Sequence, residues 1–389
     1  MIDLPNLLKA FAGLSPREPR LFSAPGRVNL IGEHTDYNRG FVLPVAANLR
    51  TYVAAALRDD DQVNVYSIDL DARVSFSLEL QDDARMAGSW AAYVQGMTQT
   101  LMGRGLNFSG ADLAILSEVP LGAGLSSSAA LEVSVGFALT EIAGWKISLL
   151  DLALAAQEAE HVYVGTNSGL MDQLTATFAK KNHAMFINCR SNQIKQIPMD
   201  LPATEIVICN TQVKHALVSS SYNERRQECE HAVELLQIKK PEVESLSDLD
   251  TTDLGVINQL PDPERRRARH VVTENQRTVQ AAEALQRSDV EGLGRLMTKS
   301  HKSLRDDFEV SSRELDIMFE LAQGQRGVYG SRMMGGGFGG CTINLVELKS
   351  LNCFINHITA GYKLATGLVP SVIVLRPDNG VSELSSTCP

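Results

Sequence analysis

The chain contains 389 residues, of which 44% are hydrophobic and 21% charged. This ordinary globular composition excludes a disordered or fibrous protein, and at roughly 150 residues per domain the length favours two domains. The formal net charge of −10 argues against a general nucleic-acid-binding protein and against attachment to anionic lipid.

The sequence carries no pattern typical of secretion or membrane insertion. Its first residues lack a basic segment followed by an apolar run, and no apolar run reaches the ~20 residues that span a bilayer. The six cysteines are scattered without CxxC or CxxH spacing, which is typical of reduced thiols. We therefore expect a cytoplasmic protein with no membrane or nucleic-acid partner.

The first half of the chain is predicted to be rich in strands. Short β-prone segments bounded by turn residues predict strands at Thr51 to Leu57, Val63 to Ile68, Val74 to Leu80 and Ala111 to Val119. Apolar patterns of helical type predict helices at Trp90 to Leu101, Ser127 to Ile142 and Leu149 to Tyr163.

The pattern of predicted strands and helices changes near residue 200. The second half predicts strands at Glu205 to Cys209, on both sides of a glycine loop within Tyr329 to Val346, and at Val372 to Leu375. Helices are predicted around Tyr222 to Leu236, then at Pro263 to Arg287, Val290 to Phe308, Ser312 to Gln323 and Leu351 to Ala365, with Lys239 to Asp262 mostly loop. Without the additional helices this order is β-α-β-β-α-β, which fits a split βαβ sheet. We therefore predict an α+β protein with domains at residues 1–203 and 204–389.

A glycine- and serine-rich turn, Pro120 to Ala130, leads into the helix predicted from Ser127. Glycines let backbone N–H groups approach an anion, and the helix dipole points at the same place. Serine hydroxyls can bind phosphate or ligate Mg²⁺. Because the segment has neither a Walker A lysine nor a G-x-G-x-x-G fingerprint, it indicates a phosphate loop of another type. A glycine turn with a serine cap is the structural alternative.

The segment Gly26 to Asn38 combines an arginine, two carboxylates, a histidine and two asparagines among glycines. Carboxylates and imidazole accept hydrogen bonds from hydroxyl groups, so this mixture suits a sugar. The spacing of Glu33, His34 and Asp36 matches neither a zinc helix nor a calcium loop. The alternative is a polar surface turn in which His34 satisfies backbone groups.

Three further segments carry weaker patterns. Gly330 to Cys341 has glycine at five of the six positions 335–340, which suits a close approach of the backbone to a ligand or loop, or a flexible hairpin. Asp172 lies in Gly169 to Gln173, twelve residues after Glu160, where a helix cap is the structural alternative. The basic run Arg265 to Arg269 is interpreted as a solvated or salt-bridged helix face rather than a nucleic-acid surface.

Together these segments resemble the galactokinases of the GHMP kinase family (galactokinase, homoserine, mevalonate and phosphomevalonate kinases). Gly26 to Asn38 with Val42 to Pro44 resembles the galactokinase signature, Pro120 to Ala130 the ATP loop, Gly169 to Gln173 the catalytic-aspartate segment and Gly330 to Cys341 the third motif. Val213 to Arg226 and Arg267 to Asn275 are also similar to galactokinase segments. The resemblance covers about residues 20–375.

The resemblance implies a fold and an activity. The fold would be the two-domain GHMP kinase fold, with an N-terminal mixed α/β domain of the ribosomal S5 domain 2 type and a C-terminal ferredoxin-like split βαβ domain with extra helices. The activity would be ATP-dependent transfer of the γ-phosphate to the anomeric hydroxyl of D-galactose, giving galactose 1-phosphate and ADP. ATP would be the co-substrate, Mg²⁺ the metal, and a monomer the active form.

The resemblance also assigns residues. Asp172 would face the sugar 1-hydroxyl and Arg27 would contact the transferring phosphate. The sugar would be held by Glu33, His34, Asp36, Gly169 and Tyr222. The nucleotide would be held by Trp90, Pro120, Gly122, Gly124, Leu125, Ser126 and Ser127, and Mg²⁺ by Ser128 and Glu160.

Two alternatives stay open at the level of sequence. One is a sister sugar kinase acting on N-acetylgalactosamine, arabinose or galacturonate, and the other is a catalytically silent galactose and ATP sensor. Met334 replaces a threonine that is usual in the family, and we expect it to remove a hydroxyl and add bulk near the ligand cleft. Ala216 replaces a serine that relatives can carry near the nucleotide.

Overall fold

The structure is a computed structural model that describes residues 3–79, 88–166, 168–213 and 218–384. The predicted strand end at Leu80, and the positions of Ala216 and Cys388, lie outside these ranges. Among the described helices, none combines the length and apolarity that crossing a bilayer requires.

The strands, in chain order, are β1 (Arg20–Asn29), β2 (Phe41–Val42), β3 (Pro44–Leu57), β4 (Gln62–Ser67), β5 (Ala72–Ser77), β6 (Ala111–Ser117), β7 (His183–Asn188), β8 (Gln193–Pro198), β9 (Thr204–Asn210), β10 (Val328–Met334), β11 (Cys341–Glu347), β12 (Ser371–Leu375) and β13 (Ser382–Leu384). The helices are α1 (Leu4–Ala12), α2 (Trp90–Gly103), α3 (Ser127–Ile142), α4 (Leu149–Ala159), α5 (Met171–Phe178), α6 (Val218–Gln237), α7 (Leu254–Ile257), α8 (Glu264–Gln286), α9 (Val290–Asp306), α10 (Arg313–Gln323) and α11 (Leu351–Thr366).

The N-terminal half is built on a mixed sheet with strand order β13-β1-β3-β6-β4-β5. Helices α2, α3 and α4 cover this sheet, and apolar residues such as Phe22, Val53 and Leu139 fill the space between them. Strands β2, β7 and β8 form a smaller sheet beside it. The strands predicted at residues 51–57 and 63–68 correspond to the second part of β3 and to β4, whereas β7, β8 and helix α1 were not predicted.

The pairing of β1 with β3 shifts register between Pro25 and Arg27. Such a bulge redirects the side chain that follows it, and bulges are frequent next to active sites. The backbone of Arg27 turns toward the Pro120 to Ala130 turn, where its N–H donates to the carbonyl of Leu125 at 2.9 Å. The polar segment that begins at Gly26 is therefore partly a buried strand rather than a surface turn.

The C-terminal half contains a sheet of order β10-β11-β9-β12 in which every neighbouring pair is antiparallel. Helices α6 to α10 connect β9 to β10, and α11 connects β11 to β12. This is the predicted split βαβ arrangement. The predicted α+β class is confirmed. Strand β13 then returns to pair with β1, so the end of the chain joins the first sheet. The division at residues 203 and 204 stays a prediction.

Two local predictions needed correction. Helix α4 ends at Ala159 and continues as a single π turn, Glu160–Val164, rather than as α-helix to Tyr163. The segment predicted as mostly loop after Lys239 contains the 3₁₀ turns Leu246–Asp248 and Thr251–Asp253 and the short helix α7. Both 3₁₀ turns are closed by capping boxes from serine and aspartate side chains, which explains why an acidic, proline-containing segment is ordered here.

One apolar cluster joins the two halves. It combines Val28, Leu30 and Leu125 from the first half with Ile208 and Met334 from the second. All of these side chains are almost fully buried. The cluster packs three elements against each other: β1 with the segment Gly26 to Asn38 (called the sugar loop after its predicted role), the turn Pro120 to Ala130 (the serine-bearing turn) and the β10–β11 hairpin. It thereby fixes the relative positions of the three motifs.

Candidate active site

Arg27 and Asp172 form a two-pronged ion pair at the centre of the molecule. Nε of Arg27 lies 2.7 Å from Oδ1 of Asp172, and Nη2 lies 2.7 Å from Oδ2. The bulge in β1 supplies the arginine and the first turn of α5 supplies the aspartate. Asp172 therefore binds a side chain 145 residues away and does not cap its own helix, which was the structural alternative.

The serine-bearing turn contacts the same ion pair. Nη1 of Arg27 donates to the carbonyl of Gly124 at 2.6 Å, and the hydroxyl of Ser126 donates to Oδ2 of Asp172. Ser126 precedes α3 in a left-handed conformation with φ of 57° and makes no capping hydrogen bond. A non-glycine residue rarely adopts this conformation, and such strain is concentrated at functional sites. The serine-cap alternative is therefore wrong for Ser126, whose hydroxyl is directed at Asp172 instead.

A cavity of about 480 Å³ opens on this ion pair. Its walls contain all the residues that the sequence assigned to catalysis and sugar binding, together with Glu160: Arg27, Glu33, His34, Asp36, Glu160, Gly169, Asp172 and Tyr222. Gly335 and Gly336 of the β10–β11 hairpin complete the wall. The hairpin is thus a wall of the cavity, as the close-approach interpretation of its glycines requires.

The sugar loop is fixed to the glycine hairpin. Oε1 of Glu33 accepts from Nη2 of Arg332 at 2.5 Å and from the N–H of Gly335 at 2.8 Å. Nε2 of His34 lies 3.2 Å from the carbonyl of Gly336, and its Nδ1 lies 2.8 Å from the Tyr37 hydroxyl. Because a carbonyl only accepts, Nε2 carries the proton and Nδ1 accepts from Tyr37. His34 therefore both lines the cavity and satisfies a backbone group.

Asp36 lies in the most acidic part of the cavity. Burial, and then the neighbouring charges of Asp172 and Glu33, raise its pKa to about 6, although the N–H of Tyr37 and the charge of Arg27 act in the opposite direction. Burial removes water from the carboxylate, and the like charges disfavour ionisation further. Asp36 therefore takes up a proton in a mildly acidic range where an ordinary aspartate stays ionised.

A second cavity, of about 250 Å³, lies on the other side of the serine-bearing turn. Three of the residues assigned to the nucleotide line it, namely Trp90, Pro120 and Ser127. Gly122 and Gly124 lie in the same turn between Leu121 and Ser127, which both line this second cavity, and their φ angles are 69° and 71°. The side chain of Leu125 is buried in the apolar cluster that joins the halves, so only its backbone faces the turn.

Carboxyl groups crowd beside the start of α3. The side chain of Ser128 hydrogen-bonds to Glu160, whose Oε2 also accepts from Ser168 at 2.6 Å and from Gln173 at 3.0 Å. Burial, together with the charge of Asp172, raises the pKa of Glu160. Hydroxyl and carboxylate oxygens are the donors that Mg²⁺ prefers, and a cation would offset the crowded negative charge. Ser128 and Glu160 thus fit this metal, although the described residues contain no group of three or more His, Cys, Asp or Glu side chains placed to hold an ion by themselves.

Family models match three separate parts of the chain. The galactokinase galactose-binding signature matches residues 9–57, the GHMP kinases N terminal domain matches residues 92–180 and the GHMP kinases C terminal matches residues 281–353. The galactokinase of Roseiflexus sp. (strain RS-1) is 43% identical over 388 residues, which are 99% of this chain and 98% of that protein. The galactokinase of Chloroflexus aggregans is 45% identical and covers 98% of each chain.

The chain belongs to the galactokinase family. Its fold matches the crystal structure of Lactococcus lactis galactokinase complexed with galactose at a TM-score of 0.94 and 36% identity, covering 98% of this chain and 100% of that one. Mevalonate kinase from Methanococcus jannaschii shares the fold at a TM-score of 0.66, with 18% identity and 94% and 100% coverage. The chain is accordingly an enzyme of the galactokinase branch of the GHMP kinases.

The expectation for Met334, the residue that departs from the galactokinase pattern, needs correction. Its side chain is 1% exposed and belongs to the apolar cluster that also contains Val119, Ala123 and Leu125. It does not line the cavity that holds Asp172. The substitution therefore adds bulk behind the serine-bearing turn, and it can affect the ligand cleft only through packing.

Sequence analysis missed several residues that complete the site. Arg332 pairs with Glu33 while fully buried, and it lies inside the third motif, where only the glycines drew attention. Glu132 is fully buried near Gln173 and Glu160. The position of Glu132 within the apolar helix α3 could have indicated a role in the site, since a charged residue is almost never buried without a partner.

We predict that Gly169→Ala weakens galactose binding selectively. A Cβ at this position would lie 2.0 Å from Oδ2 of Asp36, so Asp36 must move. Overpacking of this kind costs about 1–3 kcal/mol, and we expect the KM for galactose to rise about tenfold while the KM for ATP stays nearly constant. Gly103→Ala is the matched control, because a Cβ at this exposed helix end meets nothing within 4 Å. Equal galactose KM values in both variants would contradict the placement of Asp36.

We also predict that galactose affinity falls below about pH 6. The pKa of Asp36 is raised to about 6, so protonation below that pH removes an acceptor for sugar hydroxyls. Burial lowers the pKa of His34 to about 3 and that of His270 to about 4, so neither histidine titrates in this range. Calorimetric titration of the free enzyme with galactose from pH 5 to 7.5 measures the effect. Asp36→Asn should bind more weakly but with a flatter pH dependence, and an unchanged slope in that variant would assign the titration to another group.

Proposed function

We propose that this enzyme transfers the γ-phosphate of ATP to the anomeric hydroxyl of D-galactose, giving galactose 1-phosphate and ADP. The observation that carries the proposal is the Arg27–Asp172 ion pair, which lies on the cavity wall beside the N-terminus of α3. A carboxylate that can accept a proton, an arginine that can neutralise phosphate and a helix N-terminus that favours anions thus meet at one place. Membership of the galactokinase family supports the same chemistry.

On the sugar side, we propose that Glu33, His34, Asp36, Gly169 and Tyr222 hold galactose. Oε1 of Glu33 is engaged by Arg332 and Gly335, and Oε2 has no protein partner within the described parts of the chain. That oxygen is available to a hydroxyl group of the sugar. Asp36 offers a second acceptor, and Gly169 provides a wall without a side chain. Carboxylates that accept from several hydroxyls give the directional recognition that a sugar needs.

On the nucleotide side, we propose that the adenine base of ATP lies in the second cavity, beside Trp90 and Pro120. The phosphates would pass along the backbone of Gly122, Gly124 and Leu125 toward Ser126 and Ser127. The exposed N–H groups at the start of α3 and its dipole favour an anion there. Pro120 and Ser127 of the turn line the second cavity, and Gly124 and Ser126 of the same turn contact the Arg27–Asp172 pair on the wall of the first cavity, so the γ-phosphate would lie next to the sugar.

Ser128 and Glu160 are the residues that would hold Mg²⁺ in this proposal. When bound, Mg²⁺ supplies positive charge that offsets the phosphate oxygens and orients them. Within the protein, the Ser128–Glu160 hydrogen bond and the contacts of Glu160 with Ser168 and Gln173 orient the carboxylate. This positioning comes from the π turn that follows α4, because the turn begins at Glu160.

The transfer itself asks mainly for alignment and charge compensation. The oxygen of the anomeric hydroxyl forms a bond to the γ-phosphorus while the bond to the β-phosphate oxygen breaks, and the hydroxyl proton passes to Asp172. Oδ2 of Asp172 accepts from both Arg27 and Ser126, whereas Oδ1 accepts from Arg27 alone among the residues that the structure describes. Since each carboxylate oxygen can accept two hydrogen bonds, Oδ1 has room for the sugar hydroxyl. Arg27 then faces both Asp172, the proposed general base, and the γ-phosphate.

We propose that the enzyme works in the cytoplasm, as expected from the sequence. Five described cysteines, including the buried Cys209, Cys229 and Cys341, are free thiols, which supports a reducing compartment such as the cytoplasm. A monomeric state stays a prediction.

The basic run on α8 is consistent with the salt-bridged interpretation, because Arg265, Arg266, Arg267 and Arg269 all pair with acidic residues of this chain.

A sugar panel tests the proposed function directly. We expect D-galactose to give the highest kcat/KM in an assay that couples ADP release to a spectroscopic signal, with N-acetylgalactosamine, arabinose and galacturonate lower. Glucose, the epimer at carbon 4, serves as the stereochemical control. A higher kcat/KM on one of the sister sugars would replace galactose as the substrate. Galactose binding without ADP release would favour a silent sensor.

We predict that Asp172→Asn reduces kcat by at least about 10²-fold, the smaller contribution usual for a general base. The amide is nearly isosteric, so galactose binding measured by calorimetry should change by no more than a few-fold. Asp200→Asn, at an exposed position, is the matched control and should retain full activity. Turnover by Asp172→Asn at the wild-type rate would exclude Asp172 as the base.

A further inference from the structure

Helix α8 contacts the sugar loop from the side opposite the cavity. The resemblance to galactokinases marked its segment Arg267 to Asn275 but assigned it no role. His270 and Glu274 are four residues apart, so they share one face of the helix. Both side chains are fully buried, and both contact the backbone of the loop that carries Glu33. Buried polar side chains require hydrogen-bond partners, and these two have theirs in that loop.

Glu274 holds the backbone just before Glu33. Its Oε1 accepts from the N–H of Gly32 at 3.0 Å and from the hydroxyl of Ser300 at 2.6 Å, while Oε2 accepts from Nε of Arg277 at 2.7 Å. Burial opposes ionisation, but the charge of Arg277 lowers the pKa of Glu274 to about 2. The carboxylate is therefore ionised, and it is a strong acceptor for the N–H of Gly32.

Gly32 could not be replaced by a larger residue at this contact. Its φ is 94°, and a Cβ would lie 2.6 Å from the carbonyl of Phe41. The N–H of Phe41 in turn donates to Oδ1 of Asn275 at 2.9 Å. Helix α8 therefore holds both the beginning and the end of the loop between Gly32 and Phe41.

His270 holds the backbone of Glu33 itself. Its Nε2 lies 3.1 Å from the carbonyl of Glu33, and its Nδ1 lies 2.9 Å from the hydroxyl of Ser303. The carbonyl can only accept, so Nε2 carries the proton and Nδ1 accepts from Ser303. Burial lowers the pKa of His270 to about 4, and the neutral ring agrees with this single tautomer. The contact with the carbonyl of Glu33 sets this tautomer, and the hydroxyl of Ser303 on α9, which also lies 3.3 Å from Oδ2 of Asp307, contacts the ring at Nδ1.

We propose that His270 and Glu274 are positioning residues that hold the backbone at Gly32 and Glu33 and thereby fix the Glu33 carboxylate for a hydroxyl of the sugar. Arg332 and Gly335 hold the side chain of Glu33, and α8 holds its main chain, so the carboxylate is oriented before the ligand arrives. Pre-organisation of this kind strengthens binding because the acceptor loses little freedom on complex formation. The inference rests on the proposed role of Glu33 in binding galactose.

The test compares two substitutions at one position in the full-length enzyme. In His270→Gln the amide can still donate to the carbonyl of Glu33, whereas in His270→Leu a side chain of similar size cannot. We expect His270→Leu to raise the KM and Kd for galactose about 5- to 100-fold, as expected for loss of a buried hydrogen bond, with the KM for ATP within about twofold. His270→Gln should recover most of the affinity. Glu283→Gln, at an exposed position of α8, is the control.

A milder variant covers the case in which His270→Leu does not fold. Ser303→Ala leaves the imidazole in place and removes only the hydroxyl that contacts its Nδ1. We expect a smaller but selective rise in the galactose KM, with a thermal melting curve close to that of the wild type. Wild-type galactose affinity in a folded His270→Leu or, where that variant does not fold, in Ser303→Ala would overturn the proposal, as would an equal rise of both KM values.

A double-mutant cycle with Glu33→Gln shows whether His270 acts through Glu33. If it does, His270→Leu should weaken galactose binding much less in the Glu33→Gln background than in the wild type. Additive effects would overturn the proposal. The proposed function is tested separately: wild-type activity on galactose decides that point, whereas the ratio of variant to wild-type sugar affinity decides the positioning role for whichever sugar the enzyme binds.

Discussion

The two-pronged ion pair between Arg27 and Asp172 is the contact on which the site depends. It joins a bulged strand to a short helix 145 residues later, and Arg27 also holds the carbonyls of the serine-bearing turn through its Nη1 and its main-chain N–H. Although burial acts to lower its pKa, Asp172 and Glu33 raise the pKa of Arg27. One buried guanidinium therefore orders the candidate base and the candidate phosphate loop together, and removing it would leave several buried acceptors without a donor.

The balance of charge in the site would favour a cation that binds together with the ligand. Asp36, Glu160 and Glu132 all have a pKa raised mainly by burial, and none of them has an ion-pair partner within the described parts of the chain. Asp172 and Glu33, by contrast, are paired with Arg27 and Arg332. The enzyme thus keeps a surplus of carboxylates around an opening that must admit a polyphosphate. A metal ion bound with the nucleotide would supply the missing positive charge.

The motifs could be predicted from sequence because each is local, whereas the contacts between them could not. Glycine and serine spacing identified the turn before α3, but only the structure shows that Ser126 adopts a left-handed conformation and binds Asp172. Periodicity located α8 and α9 but could not indicate that Glu274 meets Gly32, which lies 242 residues earlier. The return of β13 to β1 depends on sheet edges far apart in the chain. The π turn at Glu160 was hidden because its apolar pattern continues that of α4.

The glycine hairpin shows how one element serves both ligands. The N–H of Gly335 and the carbonyl of Gly336 contact Glu33 and His34 of the sugar loop, and the thiol of Cys341 donates to the carbonyl of Ala123 in the serine-bearing turn at 2.8 Å. A shift of the hairpin therefore changes the sugar side and the nucleotide side at once. Because Met334 lies in the apolar cluster that also contains Leu125, its bulk would act, under the proposed function, on the spacing between the sugar and nucleotide sites rather than on contacts with either ligand.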